Sequence, residues 1–135
     1  MKPWALLLLM LTLGTVACDD NPVGPTGISN VTWKLESIER VGSPAISIPN
    51  PDQYTLRLED NGQASLRADC NTCNGHYSLE GSSISLSNLA CTRAFCNLAS
   101  FDGNYTAALE SVRSVTESGN TLTITAPGLT LRFRS

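Results

Sequence analysis

The sequence has little of what most enzymes and metalloproteins depend on. His76 is its single histidine, and neither a nucleophile-elbow sequence nor a glycine-rich phosphate-binding loop occurs. His76 directly precedes a predicted strand, so we expect its side chain to point outward as a surface residue. A Ser–His–carboxylate arrangement stays open on spacing alone. We expect no catalytic residues, no bound metal and no cofactor.

Positive charge is also scarce. Nine lysines and arginines face twelve aspartates and glutamates, giving a net charge of −3. A chain with a net negative charge lacks the basic surface that attracts a phosphate backbone. Nucleic-acid binding is therefore not expected.

Long apolar runs are missing except at the N-terminus. Lys2 precedes an apolar run from Ala5 to Leu13, and small residues follow up to Ala17. Nine residues are too few to cross about 30 Å of hydrocarbon as a helix. The pattern is typical of an export signal, which we assign to residues 1–17.

The segment Thr15-Val16-Ala17-Cys18 resembles a lipobox, in which cleavage precedes a cysteine that carries a diacylglyceryl group. The chain has five cysteines, so Cys18 has no partner if the other four form two disulfides. An unpaired thiol is a liability in an oxidising compartment. The alternative is an ordinary signal peptide with Cys18 left over. We predict lipidation at Cys18, and removal of Lys2 with the signal leaves a net charge of −4.

Residues 18–30 are polar and rich in proline and glycine, which is typical of a tether. Extended, about a dozen residues reach roughly 35 Å. The remainder, residues 31–135, shows one composition throughout and is sized for one core. We predict a single domain there.

Alternating apolar and polar residues dominate this domain and predict strands with one buried face. The runs at residues 54–59 and 64–69 flank the turn Glu59-Asp60-Asn61-Gly62 and predict an antiparallel hairpin. Two more hairpins are predicted: residues 77–80 with 84–86, and residues 122–124 with 129–133. Trp33-Lys34-Leu35 opens the sheet.

One segment has helical spacing. From Ser100, the predicted N-cap, to Val115, apolar residues recur three or four positions apart, and Gly103 weakens the first turn. The predicted fold is therefore α+β, mainly antiparallel, with one helix packed on the sheet.

Four cysteines form the pattern C-x2-C, seventeen residues, C-x4-C at positions 70, 73, 91 and 96. This pattern allows three interpretations. A redox C-x-x-C needs a helix start that the flanking strands do not supply. A four-cysteine zinc site matches the spacing, but export favours two structural disulfides. Spacing does not choose among the three disulfide pairings.

The ordered motifs resemble a META domain, the family of the HslJ-like heat-shock lipoproteins. The resemblance covers about residues 31–134. Its carriers are Trp33 and Leu35 as W-x-L, then Asn71, Gly75 and Tyr77 after Cys70, and then Thr92 and Arg93 before Cys96.

The resemblance implies a strongly curved, mainly antiparallel sheet of about seven to eight strands, and a link to envelope stress or drug tolerance without catalysis. We expect a monomeric, lipid-anchored protein of the bacterial envelope, periplasm-facing or on the outer surface, that binds an envelope protein or a glycan. The alternatives are a small hydrophobic-ligand carrier using the inner face of the sheet and, more remotely, a thiol oxidoreductase.

The resemblance also suggests a disulfide pairing. Cys70 and Cys96 stand where the family often has both of its cysteines, whereas relatives commonly carry apolar residues at positions 73 and 91. The resemblance therefore implies the nested bridges Cys70–Cys96 and Cys73–Cys91.

Overall fold

The structure, a computed structural model, describes residues 27–135. The predicted signal sequence, Cys18 and most of the predicted tether lie outside these residues. Nine strands are present: β1 Thr32–Arg40, β2 Ile46–Ser47, β3 Tyr54–Leu58, β4 Gln63–Ala68, β5 Asn71–Glu80, β6 Ser83–Cys91, β7 Ser114–Ser118, β8 Thr121–Ala126 and β9 Leu129–Arg134. Helix α1 spans Asp102–Glu110, and a short 3₁₀ turn covers Pro51–Gln53.

The strands form one antiparallel sheet that closes on itself. Their order is β2-β1-β3-β4-β5-β6-β7-β8-β9, and β1 also pairs with β9. The predicted α+β class and the curved antiparallel sheet are confirmed, with nine strands where seven to eight were expected. The two-residue strand β2 is too short to show any alternation in the sequence.

The core lies inside the ring because each strand turns its apolar positions inward. In β3, for example, Tyr54, Leu56 and Leu58 are buried while the residues between them are half-buried. Helix α1 packs against β4 and β6 and buries Tyr105, Ala108 and Leu109. Weak helix formers in its first turn leave packing as the main source of its stability.

The inner face of the sheet, where a ligand carrier would hold its cargo, is filled by side chains. Trp33, Tyr105 and Phe133 are 1%, 0% and 0% exposed. The Tyr105 ring lies 5.9 Å from that of Tyr54 and 6.3 Å from that of Phe133, centroid to centroid. These aromatic residues serve as core in the structure.

Two boundaries differ from the prediction. Helix α1 ends at Glu110, not at 115, because the chain turns at Ser111, whose N–H donates to the Ala108 carbonyl, and Val115 belongs to β7. The N-cap position is Phe101, not Ser100. Ser100 instead accepts a hydrogen bond from the N–H of Asp102 through its Oγ at 3.3 Å.

The folded domain also begins before residue 31. Ile28 is buried, and its carbonyl accepts a hydrogen bond from Trp33 Nε1 at 3.0 Å. Ser29 forms a parallel bridge with Leu58. The last residues of the predicted tether are therefore part of the fold, because Ile28 supplies apolar surface that the ring can bury.

Candidate functional site

Two disulfides join the end of β6 and the loop after it to the start of β5. Cys70 bonds to Cys96 with a Cα–Cα distance of 5.5 Å, and Cys73 bonds to Cys91 with a Cα–Cα distance of 4.1 Å. This is the nested pairing that the resemblance implies. The two cysteines of C-x-x-C bond to the other pair and not to each other, unlike the active disulfide of a redox motif.

Asn71 holds the same loop from inside. Its Nδ2 donates to the Ala94 carbonyl at 2.9 Å and to Asp102 Oδ2 at 3.1 Å. Its Oδ1 accepts from the Ala94 N–H at 2.7 Å and from Thr92 Oγ1 at 3.0 Å. A buried amide with two donors and one acceptor atom is thus fully satisfied. Asn71 therefore positions the loop and the start of the helix.

We call residues 92–101 the clamped loop. It is also fixed at its far end, where the N–H of Phe101 donates to the Tyr54 hydroxyl at 3.0 Å. Between these fixed points Phe95 is 80% and Leu98 is 97% exposed. Elsewhere in the described residues only Val41, at 86%, is a comparably exposed large apolar residue. The loop thus presents two apolar side chains on a braced backbone.

A cleft of about 460 Å³ lies beside the clamped loop. One wall is the end of β6 with Leu89 and Cys91, and the other is helix α1 with Asp102, Thr106 and Glu110. These three helix residues are four positions apart, so they share one face. Arg93 also lines the cleft, at the start of the clamped loop.

The neighbouring part of β6 carries a β-bulge. Asn88 and Leu89 together oppose Gly75, and Asn88 has a positive φ of 55°. A Cβ on Gly75 would lie 2.8 Å from both Leu89 Cδ2 and the Ser87 carbonyl oxygen. Only glycine leaves room for the bulge, which turns Leu89 toward the cleft and explains why the motif needs Gly75.

The other residues of the family motif lie in the core, bond to the backbone or, in the case of Arg93, face outward. Trp33 and Leu35 are buried in the core, and the hydroxyl of Tyr77 donates to the Glu59 carbonyl at 2.7 Å. Thr92 receives a hydrogen bond from the N–H of Thr72 at 3.0 Å. Arg93 is exposed and makes no hydrogen bond or ion pair to another described residue.

His76 is exposed, as predicted, on the outside of β5. It lines a depression of about 500 Å³ together with Ser65 and Glu59. Among the described residues no hydrogen bond joins His76 to Ser65 or to Glu59, and Glu59 pairs with Arg57 at 2.7 Å. The three side chains therefore do not make the contacts of a nucleophile–base–carboxylate triad.

The pKa values of Tyr105 and Asp52 are shifted, each by an identifiable cause. Burial raises the pKa of the Tyr105 phenol well above its usual value, and the hydroxyl donates to the Thr55 carbonyl at 3.0 Å. The hydrogen bond and charge of Lys34, 2.7 Å away, lower the pKa of the exposed Asp52. Neither group lines the cleft, so neither shift bears on its chemistry.

Within residues 27–135, no set of three histidine, cysteine or acidic side chains is grouped closely enough to hold a metal ion. In the same range, no helix has the length and apolar character needed to span a bilayer.

Sequence reasoning identified the cysteines and the motif residues of this region. It missed Phe95, Leu98 and the acidic face of α1 as a surface. The one available signal was two large apolar side chains in a loop without strand or helix periodicity.

Comparison with known proteins gives a family and a fold. The family model for the META domain matches residues 26–135. Comparison with the curated proteins gives no match.

Solved structures with the same fold include an NMR structure of a protein from Burkholderia xenovorans, with 26% identity and a TM-score of 0.66 over 79% of this chain and 82% of that one. A crystal structure of a DUF4847 family protein from Bacteroides vulgatus has 10% identity and a TM-score of 0.62, covering 79% of this chain and 93% of that one. A further NMR structure has 23% identity and a TM-score of 0.60, over 83% of this chain and 94% of that one. The last two show the fold alone.

Proposed function

Because the chain belongs to the META domain family, we propose that it is a non-enzymatic lipoprotein of the bacterial cell envelope whose domain is an interaction module linked to envelope stress. In this proposal Cys18 carries the lipid anchor, and the clamped loop binds a partner protein. The proposal on the anchor is supported by the sequence pattern of residues 2–18.

The exposure of Phe95 and Leu98 is the observation that carries the interaction role. Large apolar side chains at 80% and 97% exposure lose the stabilisation that burial would give them. Two disulfides, Asn71 and Tyr54 fix the backbone that presents them. A braced apolar surface has little conformational entropy to lose when a partner binds, as expected of a docking site.

The clamped loop lies away from the point at which the predicted tether joins the domain. Ser29 leaves the domain beside Leu58, at the end of β3. The clamped loop meets the opposite end of β3, at Tyr54. Four residue steps along a strand separate the two ends by about 13 Å. The clamped loop therefore lies at the other end of β3 from the tether, and because the extended tether reaches roughly 35 Å, the loop is free to meet a neighbouring protein.

Site-specific photocrosslinking tests the interaction role. A photoreactive amino acid replaces Phe95 or Leu98 in cells that produce the full chain, and Val41, which is equally exposed but lies elsewhere, serves as the control. We expect the same discrete protein adduct from positions 95 and 98 and none from position 41. Equal labelling from all three positions, or adducts with glycan or lipid alone, would contradict a protein-binding loop.

Fractionation tests the anchor separately. The full chain should remain with membranes after a high-salt wash and dissolve in detergent. The Cys18→Ser variant should be recovered in the soluble fraction or as an uncleaved precursor. If Cys18→Ser is processed and still remains on washed membranes, Cys18 is not the anchor.

A further inference from the structure

We propose that the cleft between β6 and α1 binds an extended segment of the partner protein as an added strand on β6, with basic side chains of that segment facing Asp102 and Glu110. This inference rests on the proposed interaction role and names the form of the bound partner.

The first observation is that most of the outer edge of β6 is unpaired. Strand β5 pairs with β6 along its whole length, from Ser83 to Cys91. On the other side, β7 pairs with β6 at Ser83 alone, and the N–H of Ile84 donates to the Arg113 carbonyl at 3.0 Å. Within residues 27–135 no other strand reaches this edge. An unpaired strand edge is a template for an incoming strand.

The alternation of the backbone groups shows which residues of β6 have N–H and carbonyl groups that point away from β5. The N–H of Thr92 donates to the Thr72 carbonyl on the β5 side at 3.0 Å. Residues alternate along an antiparallel strand, so the N–H and carbonyl of Cys91 point the other way, as do those of Leu89. Leu89 and Cys91 are the β6 residues that line the cleft. The free backbone groups of β6 therefore belong to two residues that line the cleft, and they lie on the side of the strand away from β5.

The opposite wall carries two carboxylates along its length, whereas Arg93 lies at the loop end of the cleft. Asp102 and Glu110 lie on one face of α1, two turns or about 12 Å apart. Among the described ion pairs neither takes part, although Asp102 accepts a hydrogen bond from Asn71. In an extended segment, side chains four positions apart are separated by about 13 Å. Lysine or arginine at such positions would match both carboxylates.

Phe95 and Leu98 continue this surface at the outer end of the cleft. Phe95 lines the cleft itself and follows Arg93 and Ala94 along the clamped loop. A segment held along Leu89 and Cys91 would reach Phe95 with an apolar side chain. The exposed apolar residues and the free edge thus form one continuous docking surface.

A peptide titration on the purified full chain in detergent tests this. The probe is the blocked pentapeptide Lys-Val-Thr-Val-Lys, followed by NMR and amide hydrogen exchange at millimolar concentration. We expect shifts and slowed exchange at the amides of Leu89 and Cys91. The fully N-methylated peptide should not bind, because it cannot donate to the β6 carbonyls, and the peptide with glutamate in place of lysine should bind at least tenfold more weakly.

Variants of α1 supply matched controls. Thr106→Arg places a cation between Asp102 and Glu110, where the lysines of the probe would lie, and should abolish binding, whereas Ala107→Arg, one position along on the exposed side of the helix, should leave it unchanged. Glu110→Gln should weaken binding about threefold, as expected for one exposed charge pair.

Binding of the N-methylated probe, shifts confined to Phe95 and Leu98, or no binding at millimolar probe would each overturn strand addition. Photocrosslinking at positions 95 and 98 would still succeed in those cases if the proposed function is right, so the two failures are distinguishable.

Discussion

At the scale of single residues, Asn71 is the polar side chain on which the clamped loop depends. Replacing it with alanine removes four hydrogen bonds that this buried side chain makes to Thr92, Ala94 and Asp102. We expect Asn71→Ala to lower the free energy of unfolding by about 2–3 kcal/mol. Urea denaturation of the variant measures this. Asn74→Ala, an exposed position on the same strand, is the control and should change stability by less than about 0.5 kcal/mol. Equal losses in both variants would contradict the role of Asn71.

Gly75 gives a second test at this scale. Because an added Cβ would lie 2.8 Å from Leu89 Cδ2 and from the Ser87 carbonyl oxygen, we expect Gly75→Ala to cost about 1–3 kcal/mol. Gly103 in helix α1 has no neighbour within 4 Å of such a Cβ, so Gly103→Ala should stabilise the protein by about 0.5–1 kcal/mol. Thermal or urea unfolding compares the two. A neutral Gly75→Ala would mean that the bulge can open.

Tyr105 predicts how stability depends on alkaline pH. Since burial raises the pKa of its phenol in the folded state, the folded protein keeps this proton to higher pH than the unfolded chain, whose tyrosines titrate near pH 10. The contribution of Tyr105 is therefore fully present below about pH 10 and is lost as the pH rises above it, by up to about 1.4 kcal/mol per pH unit.

The Tyr105→Phe variant isolates this effect. Without the hydrogen bond to the Thr55 carbonyl it should be less stable at neutral pH by about 1 kcal/mol. Its free energy of unfolding should fall less steeply than that of the parent between about pH 9 and 11. Parallel pH profiles for the two proteins would show that another group controls alkaline unfolding.

At the scale of elements, the two disulfides should differ in what they stabilise. In the chain-entropy model the outer bridge, Cys70–Cys96, contributes roughly 3.5 kcal/mol and the inner bridge, Cys73–Cys91, roughly 3 kcal/mol. Cys73 is also 1% exposed within the core, so its removal adds a packing loss. We therefore expect Cys73→Ala/Cys91→Ala to be the less stable of the two double variants.

Hydrogen exchange separates local from global effects of these variants. Cys70→Ala/Cys96→Ala should speed exchange mainly in the clamped loop, since Cys70 is exposed and Cys96 lies in that loop. The inner double variant should speed exchange across β5 and β6. Identical exchange patterns in the two variants would contradict this division.

Some elements of the fold can be predicted from the sequence and others cannot. The β3–β4 hairpin is predictable because its alternation and its Asn-Gly turn agree with each other. The end of α1 cannot be predicted in this way, because Leu109, Val112 and Val115 keep helical spacing although Val115 belongs to β7. Periodicity records which residues are buried, and residues on both sides of a turn can face one core.

The contacts of the candidate site are harder to predict than its residues. Asn71 reaches Ala94 and Asp102, which are 23 and 31 residues away in sequence. The free edge of β6 results from the stagger of β7, which pairs with β6 at Ser83 only. Both features depend on how distant elements meet in the closed ring, and local patterns do not contain that information.

At the scale of the whole molecule, the position of β9 constrains the order in which the domain can form. Its residues pair with β1 on one side and β8 on the other. Arg134 hydrogen-bonds to Glu36 across 98 positions of the chain. Such long-range pairing forms late and folds slowly.

A chain that is still being synthesised therefore has an open ring until β9 has emerged, and under the export that we propose, such an unfinished domain would offer little resistance to translocation. A chain that stops after Gly128 should be digested rapidly by a protease that leaves the full-length protein intact. Resistance of the shortened chain would mean that the first eight strands fold alone, and that export would compete with folding.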